Sequence, residues 1–297
     1  MRSTGRARWA RLPALLPLLA SIVAMPAFAD CVRTVRWELE PPYGVLGPDG
    51  QRAGYYAEVV EQALKRIGCE PAWVPMPWAR GLRELEAGRL DIMPGMIATA
   101  ERRRYARFSA VVNRSPNLLF LRAGAAQRHR LTRLADLRDT GLTIAVETGA
   151  HYGDEYAALL RDTRFAARLH PVPDPDRAWR MLDTGRIDGL IADQAAALAG
   201  GVPLVPGPRD VHAVLALSAG GARVAFSRRS VDEAFVARFD AAIAAMLAEG
   251  SLLRLRERYV PCPADPVTLG CRDPAGVGDN PPQGHADPSG DAEGLPR

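Results

Sequence analysis

One seven-residue phrase occurs twice in this chain and constrains its fold more than any other feature. Leu85–Asp91 reads LEAGRLD and Leu182–Asp188 reads LDTGRID, 97 residues further on. In each copy an amphipathic segment runs into a glycine suited to the left-handed turn that ends helices, and a short aliphatic run follows. We therefore predict two helix–turn–strand units, with strands at Leu90–Met93 and Ile187–Ala192, and a two-lobe α/β fold.

Two such lobes predict where a ligand binds. In open α/β sheets, ligands bind beyond the carboxyl ends of the strands, so two facing lobes would enclose a cleft between those ends. The alternative is a chance match, because Gly-Arg pairs are common in a chain so rich in arginine.

The first 29 residues read as a secretory signal. They carry four arginines and no acid, an apolar stretch over Leu12–Met25 that two prolines interrupt, and a small-x-small cleavage site at Ala27–Ala29. We predict Sec-type export and a periplasmic location; lipidation at Cys31 is the weaker alternative, because Asp30 replaces the small residue that a lipobox needs. Without the leader the net charge falls from +4 to near zero, so the basic balance of the whole chain does not indicate a nucleic-acid partner, and we expect none.

Four cysteines in an exported chain indicate disulfide bonds. Cys31 opens the first predicted strand and Cys69 opens the second, while Cys262 and Cys271 lie close together after the last predicted helix. We favour the pairs Cys31–Cys69 and Cys262–Cys271 over the two other pairings. A metal site is the alternative, and no histidine has ligand spacing to these cysteines.

The order of predicted elements divides the chain into five parts. They are a signal peptide at 1–29, the first part of lobe one at 30–121, lobe two at 122–212, a return to lobe one at 213–262, and a tail at 263–297. We expect the tail to be disordered, because it is mostly Gly, Pro, Asp and Asn and cannot bury enough apolar surface to offset its ordering entropy.

Several motifs, in this order and spacing, resemble the bacterial family 3 extracellular solute-binding proteins, the periplasmic receptors of polar amino-acid uptake systems. They are PPY (Pro41–Tyr43), GYYAEVV (Gly54–Val60), PWARGLRELEAGRLDIMPG (Pro77–Gly95), TAERRRYARFS (Thr99–Ser109), AVETGAHY (Ala145–Tyr152), LDTGRIDGLIAD (Leu182–Asp193) and AEGSLLRLRERY (Ala248–Tyr259). The resemblance implies a two-lobe periplasmic-binding-protein-like (type II) fold. It also implies a monomer that captures a small solute without catalysis or cofactor and delivers it to an inner-membrane ABC permease.

The resemblance assigns the two charges of an amino-acid ligand to two residues. Arg102, which closes the T-x-E-R motif, would hold the α-carboxylate, and a guanidinium suits that role because it grips a carboxylate in a bidentate fork. Asp193, after the second repeat's strand, would hold the α-ammonium. The alternatives are a solvated surface arginine and a helix N-cap.

The resemblance also implies a wider ligand-binding set: Glu40, Tyr43, Trp78, Gly95, Thr99, Gly149 and His151. Trp78 reads equally as a core residue, and Glu40 and Tyr43 as turn residues around Pro41-Pro42. His151 stands where the family offers a hydroxyl. In the stretch where the family often has serines this chain has Pro94, Gly95 and Met96, and a proline donates no backbone N–H.

Two other functions remain open from the sequence. One is an enzyme like the periplasmic cyclohexadienyl dehydratases, with Glu40 or Glu147 as the acid, although no acid–base pair is fixed by spacing. The other is a stand-alone sensor or an accessory binding protein.

Overall fold

The computed structural model describes residues 31–200, 210–217, 220–262 and 264–271. In chain order the strands are β1 (Cys31–Trp37), β2 (Val45–Leu46), β3 (Arg52–Ala53), β4 (Cys69–Pro75), β5 (Ile92–Ile97), β6 (Ala106–Arg114), β7 (Asn117–Arg122), β8 (Ile144–Glu147), β9 (Leu169–Val172), β10 (Gly189–Asp193), β11 (Val211–Ala216) and β12 (Gly221–Ser227). The α-helices are α1 (Tyr55–Arg66), α2 (Trp78–Ala87), α3 (Ala100–Arg103), α4 (Ala123–Arg128), α5 (Asp154–Leu159), α6 (Thr163–Ala166), α7 (Pro175–Asp183), α8 (Gln194–Ala199), α9 (Glu233–Ala248) and α10 (Ser251–Tyr259).

The strands form two five-stranded mixed sheets and a small hairpin of β2 and β3. The first sheet has the order β4-β1-β5-β12-β6 and the second has the order β11-β7-β10-β8-β9. Strands β1, β4 and β5 run parallel, as do β8, β9 and β10, while β7, β11 and β12 pair antiparallel with their neighbours. The two-lobed α/β architecture predicted from the repeat is confirmed.

The two copies of the repeated phrase occupy equivalent places in the two sheets. Gly88 after α2 and Gly185 after α7 both have positive φ angles, of 80° and 71°. The strands that follow begin two residues later than predicted, because the closing aspartate of each phrase first binds the neighbouring parallel strand. Asp91 Oδ2 accepts from the backbone N–H of Thr34, and Asp188 Oδ2 accepts from that of Thr143, each at 2.9 Å.

Separate apolar cores support the two sheets. In the first, α1, α9 and α10 pack on the sheet through fully buried side chains such as Tyr55, Phe226 and Phe239. In the second, Phe120 and Ala178 belong to the core on one side, and Phe165 belongs to the core on the other. Each lobe therefore has a packed interior of its own, and the carboxyl ends of the strands of the two sheets can line a site.

The chain passes from the first sheet to the second between β6 and β7, at Ser115–Pro116, and returns between β11 and β12. Strands β7 and β11 both belong to the second sheet, whereas the predicted lobe boundaries lie inside them, at 121/122 and 212/213; those boundaries stay predictions. The predicted signal peptide lies outside the described residues, as does the tail beyond 271. Residues 264–271, which the prediction assigns to the tail, form a folded loop in which Leu269 is buried.

Both predicted disulfide bonds are present. Cys31 and Cys69 are paired residues at the start of β1 and β4, and Cys262 and Cys271 close the loop after α10. The helices in the described part of the chain are all too short or too polar to cross a membrane.

Candidate functional site

A cavity of about 160 Å³ lies where the carboxyl ends of the strands of both sheets meet. The first sheet contributes Arg36 at the end of β1 and Gly95 within β5, and the second contributes Glu147 at the end of β8 and Asp193 at the end of β10. The sequence predicted a cleft in this position from strand direction alone. Six carboxyl and guanidinium groups line the cavity: Arg36, Glu38, Glu40, Arg102, Glu147 and Asp193.

Arg102 reaches the cavity from α3, and its side chain is only 6% exposed. Thr99 caps α3 by accepting from the Arg102 backbone N–H at 3.2 Å. Arg102 Nη1 donates to the Ile97 carbonyl and Nη2 to the Gly149 carbonyl, each at 2.9 Å. A guanidinium has five N–H groups, so these two bonds fix its direction and leave other donors for a ligand.

Trp78 forms a wall of the cavity between two cations. The Arg36 and Arg102 guanidinium carbons lie 5.1 and 5.8 Å from the centre of its ring, within the range of cation–π attraction. Its Nε1 donates to the Gly149 carbonyl at 3.3 Å. Trp78 is therefore half-buried: it lines the cavity and also packs against an apolar cluster of the first lobe.

Asp193 caps a helix and also lines the cavity, while its contact with an α-ammonium stays a prediction. Its Oδ1 accepts from the backbone N–H of Ala196 at 2.9 Å, which caps α8, and from the Tyr43 hydroxyl of the first lobe at 2.8 Å. Burial raises the pKa of Asp193, and its hydrogen bonds oppose that shift. The Tyr43 ring stacks on Tyr56 with centroids 4.4 Å apart.

Glu40 and Glu147 bring two carboxyl groups to the cavity from opposite lobes. Burial raises the pKa of Glu147 to about 8, and Glu40 adds to that shift while Arg36 opposes it. Burial likewise raises the pKa of Glu40. The guanidinium of Arg36 is paired with Glu38, so it compensates the two carboxyl groups only in part.

The remaining predicted residues divide between lining the cavity and supporting it. Gly95 lines it at a φ of +82°, and a Cβ there would lie 2.9 Å from the Tyr56 ring. His151 lines it, and burial together with Arg102 lowers the His151 pKa. Thr99 and Gly149 lie outside the lining, and each hydrogen-bonds Arg102. Gly149 lies five residues before the start of α5 at Asp154 and offers its carbonyl to the site; contact of either residue with a ligand stays a prediction.

The residues of the site that the sequence missed include Arg36, Glu38, Tyr56 and Asn113. Arg36 is only 5% exposed, and its position at the end of β1 was a usable signal, because that is where ligands of such sheets bind. The Asn113 amide nitrogen donates to the hydroxyl oxygens of Tyr43 and Tyr56, at 3.2 and 3.3 Å. Nothing in the sequence pattern of β6 indicates that contact. In the described ranges no cluster of His, Cys, Asp or Glu is arranged to hold a metal ion.

Comparison of the sequence with known proteins identifies one family. The family model of the bacterial extracellular solute-binding proteins, family 3, matches residues 34–261, which confirms the resemblance noted in the motifs. The L-arginine-binding protein of Pseudomonas aeruginosa is 26% identical over 254 residues, 83% of this chain and 95% of that protein. The L-cystine-binding protein TcyJ of Escherichia coli is 25% identical over 220 residues, 74% of this chain and 78% of that protein.

The likeness extends to solved structures. An ancestral arginine-binding protein bound to arginine superposes with a TM-score of 0.66 at 20% identity, covering 77% of this chain and 97% of that one. At this level of identity the likeness shows the fold alone, which is the two-lobe fold of periplasmic binding proteins.

Proposed function

This chain belongs to the bacterial extracellular solute-binding proteins, family 3, and from that premise we propose that it binds a small amino acid with a cationic side chain. The family relation makes it a solute-binding protein. The class of solute is inferred from the charges around the cavity, and the L-arginine specificity in the name of one relative agrees with it.

The observation that supports this solute is an excess of half-buried carboxyl groups in the cavity. Glu40, Glu147 and Asp193 line the cavity, and Arg102 is the guanidinium opposite them that has no ion pair among the described residues. Burial raises the pKa of all three carboxyl groups, so ionising them in the cavity is costly. An α-ammonium alone compensates one carboxylate, whereas a cationic side chain compensates a second.

The geometry suggests a direction for the bound amino acid. We assign the α-carboxylate to the N–H groups of Arg102 that remain after its two backbone bonds. We assign the α-ammonium to Asp193, and the side-chain cation to Glu40 and Glu147. Trp78 would cover the aliphatic part with the face of its ring.

A ligand panel tests the proposed solute. Thermal shift and calorimetry would compare L-arginine and L-lysine with L-glutamine, L-cystine and L-glutamate, because a ligand specific to the native state must stabilise it. Agmatine, which has the guanidinium without the carboxylate, tests the role of Arg102. We expect L-arginine or L-lysine to stabilise most and L-glutamate least; stronger stabilisation by L-glutamate or an uncharged amino acid would reject the cationic assignment.

We further propose a place for the protein in uptake. It is exported through residues 1–29, works in the periplasm as a monomer, and delivers its solute to an inner-membrane ABC permease. Mass spectrometry of the secreted protein should find an N-terminus at Asp30, and uptake of radiolabelled L-arginine should fall when the gene is deleted. Normal uptake in the deletion strain would favour the sensor or accessory role.

One observation favours a second candidate, a dehydratase-like enzyme. Glu147 stays protonated near neutral pH because burial raises its pKa to about 8. A protonated carboxyl next to an arginine could give its proton to the ring hydroxyl of a cyclohexadienyl carboxylate, so that the hydroxyl leaves as water while the ring carboxylate leaves as CO2 and the ring becomes aromatic. Ultraviolet absorbance reports the aromatic product directly. A binding protein gives no product, whereas turnover that Glu147→Gln abolishes would establish the enzyme.

A further inference from the structure

Arg256 is one of the largest fully buried side chains among the described residues and lies behind the cavity, on α10. Its Nε donates to the Leu269 carbonyl at 3.0 Å and to Asn113 Oδ1 at 3.3 Å. Its Nη2 lies 3.6 Å from both sulfur atoms of the Cys262–Cys271 disulfide. A buried guanidinium is costly, so these contacts must constrain its position closely.

The loop closed by that disulfide directs the Leu269 carbonyl towards Arg256. Leu269 has a φ of +59°, and its backbone N–H donates to the Asp265 carbonyl. The Leu269 carbonyl accepts from Arg256 and also from the backbone N–H of Arg114 at 2.9 Å, immediately before the crossing at Ser115–Pro116. The family model ends at residue 261, so this loop is an addition to the matched part of the chain.

The donors and acceptors of this cluster fix the direction of each hydrogen bond. A guanidinium only donates, so Asn113 must turn Oδ1 towards Arg256 and its amide nitrogen towards the tyrosines. The Tyr43 hydroxyl oxygen accepts from that nitrogen, and its hydrogen is then left for Asp193 Oδ1. The reverse orientation of the amide would place two donors against each other.

We propose that Arg256, held by the Cys262–Cys271 disulfide and by Leu269 of the loop 264–271, acts through Asn113 and Tyr43 as a positioning relay that presents Asp193 as an ionised acceptor for the cationic group of the ligand. A charged donor at one end of a chain of hydrogen bonds polarises the bonds that follow. Arg256 touches no ligand in this scheme. The role of Asp193 rests on the proposed function, whereas the direction of the relay does not.

Asn113→Asp separates a positioning role from a structural one. An aspartate still accepts from Arg256 and gains an ion pair with it, so the fold is retained. It donates nothing to Tyr43, whose hydroxyl hydrogen then turns away from Asp193. We expect unchanged or higher resistance to urea with L-arginine affinity about tenfold weaker or more, since a hydrogen bond to a charged group is lost. Affinity equal to that of the wild type would overturn the relay.

A second readout needs no ligand. The ¹³C chemical shift of the Asp193 carboxyl group reports its pKa by NMR. The groups that face Asp193 are Glu40, Tyr43, Tyr56, Ser115 and Arg256. Loss of the Tyr43 donor removes a hydrogen bond that lowers the pKa, so it should rise both in Asn113→Asp and in Tyr43→Phe.

The double variant decides between the relay and direct repulsion by the new carboxylate. If Asn113 acts through Tyr43, the shift in the double variant is smaller than the sum of the two single shifts. Additive shifts, or no shift in Asn113→Asp, would overturn the relay. If L-arginine fails to bind the wild type while the shifts are non-additive, the proposed ligand is rejected and the relay stands.

The role of the loop can be tested by removing each of the two disulfides in turn and comparing the effects. Cys262→Ser/Cys271→Ser should raise the Asp193 pKa and weaken L-arginine binding, because the Leu269 carbonyl no longer holds Arg256. Cys31→Ser/Cys69→Ser removes a disulfide at the opposite ends of β1 and β4 and should lower the melting temperature without moving the Asp193 pKa. Equal effects of both pairs on that pKa would exclude a specific role for the loop.

Discussion

Replacing the carboxyl group of Glu147 by an amide should change how the stability of the unliganded protein depends on pH. The pKa of Glu147 is raised to about 8, first by burial and then by Glu40. Between its ordinary value of 4.5 and about 8, the folded protein holds a proton that the unfolded chain has lost. Stability is therefore present below pH 4.5 and is lost as the pH rises through 8.

The size of this loss follows from the shift in pKa. One pKa unit corresponds to about 1.4 kcal/mol, so the interval from 4.5 to about 8 sets a ceiling of about 5 kcal/mol. Glu147 retains some contact with solvent through the cavity, which screens its charge, and we expect on the order of 2–3 kcal/mol. In a chain of this length that difference lowers the melting temperature by about 5–10 °C.

Glu147→Gln keeps the shape of the side chain and removes the titration. Urea unfolding at pH 5, 7 and 9 would be compared for the wild type and the variant, with Glu155→Gln, an exposed acid on α5, as the matched control. We expect the wild type and the control to lose stability as the pH rises and Glu147→Gln to lose about 2–3 kcal/mol less. Parallel profiles for all three proteins would refute the buried-carboxyl argument on which the cationic ligand rests.

Three further predictions follow from the site. Arg102→Ala and Asp193→Ala should each weaken L-arginine binding by about 2–5 kcal/mol, or roughly 30-fold to several thousand-fold in calorimetry, with the fold retained in circular dichroism; wild-type affinity in either would contradict the assignment. Gly95→Ala should lower the free energy of unfolding by about 1–3 kcal/mol in urea titration, because its φ is positive and its new methyl group meets Tyr56. Saturating L-arginine should reduce the radius of gyration in small-angle scattering, and an unchanged radius would argue against lobe closure.

The repeat allowed the two lobes to be predicted because it encodes short-range geometry. A helix, a left-handed glycine and a strand are specified by neighbouring residues, and both copies fold alike. The pairing of Cys31 with Cys69 was predictable for a related reason, since each opens a strand and the two strands are neighbours. These inferences need only local propensity and the rule for parallel strands.

The hydrogen-bond partners within the site could not be predicted in the same way. Thr99 and Gly149 were expected to touch the ligand, which stays a prediction, whereas their hydrogen bonds to Arg102 were not foreseen. Such hydrogen bonds depend on differences of a few tenths of an ångström in the distances between separate elements, and local sequence patterns do not specify those distances. Arg256 lies on an amphipathic helix where an arginine ordinarily faces solvent, and it is buried because the loop 264–271 folds over it. The glycine- and proline-rich composition of the tail gave no sign of that loop, which the disulfide between Cys262 and Cys271 closes.

The charges of the site give a physical reason to expect that closure of the two lobes depends on the charge of the ligand. Three hydrogen bonds join the two lobes across the cavity, from Tyr43 to Asp193 and from Trp78 and Arg102 to the Gly149 carbonyl. Together they are worth about 3–6 kcal/mol. Closing the lobes also brings Glu40 of one lobe and Glu147 of the other into a space where water screens their charges less. Ionising these carboxyl groups there costs free energy, and their raised pKa values reflect that cost. On the proposed function, a cationic solute would remove that cost and leave the three bonds as net gain, which would shift the population to the closed form. An anionic solute would increase the cost, so the same three bonds would not suffice to close the lobes on it.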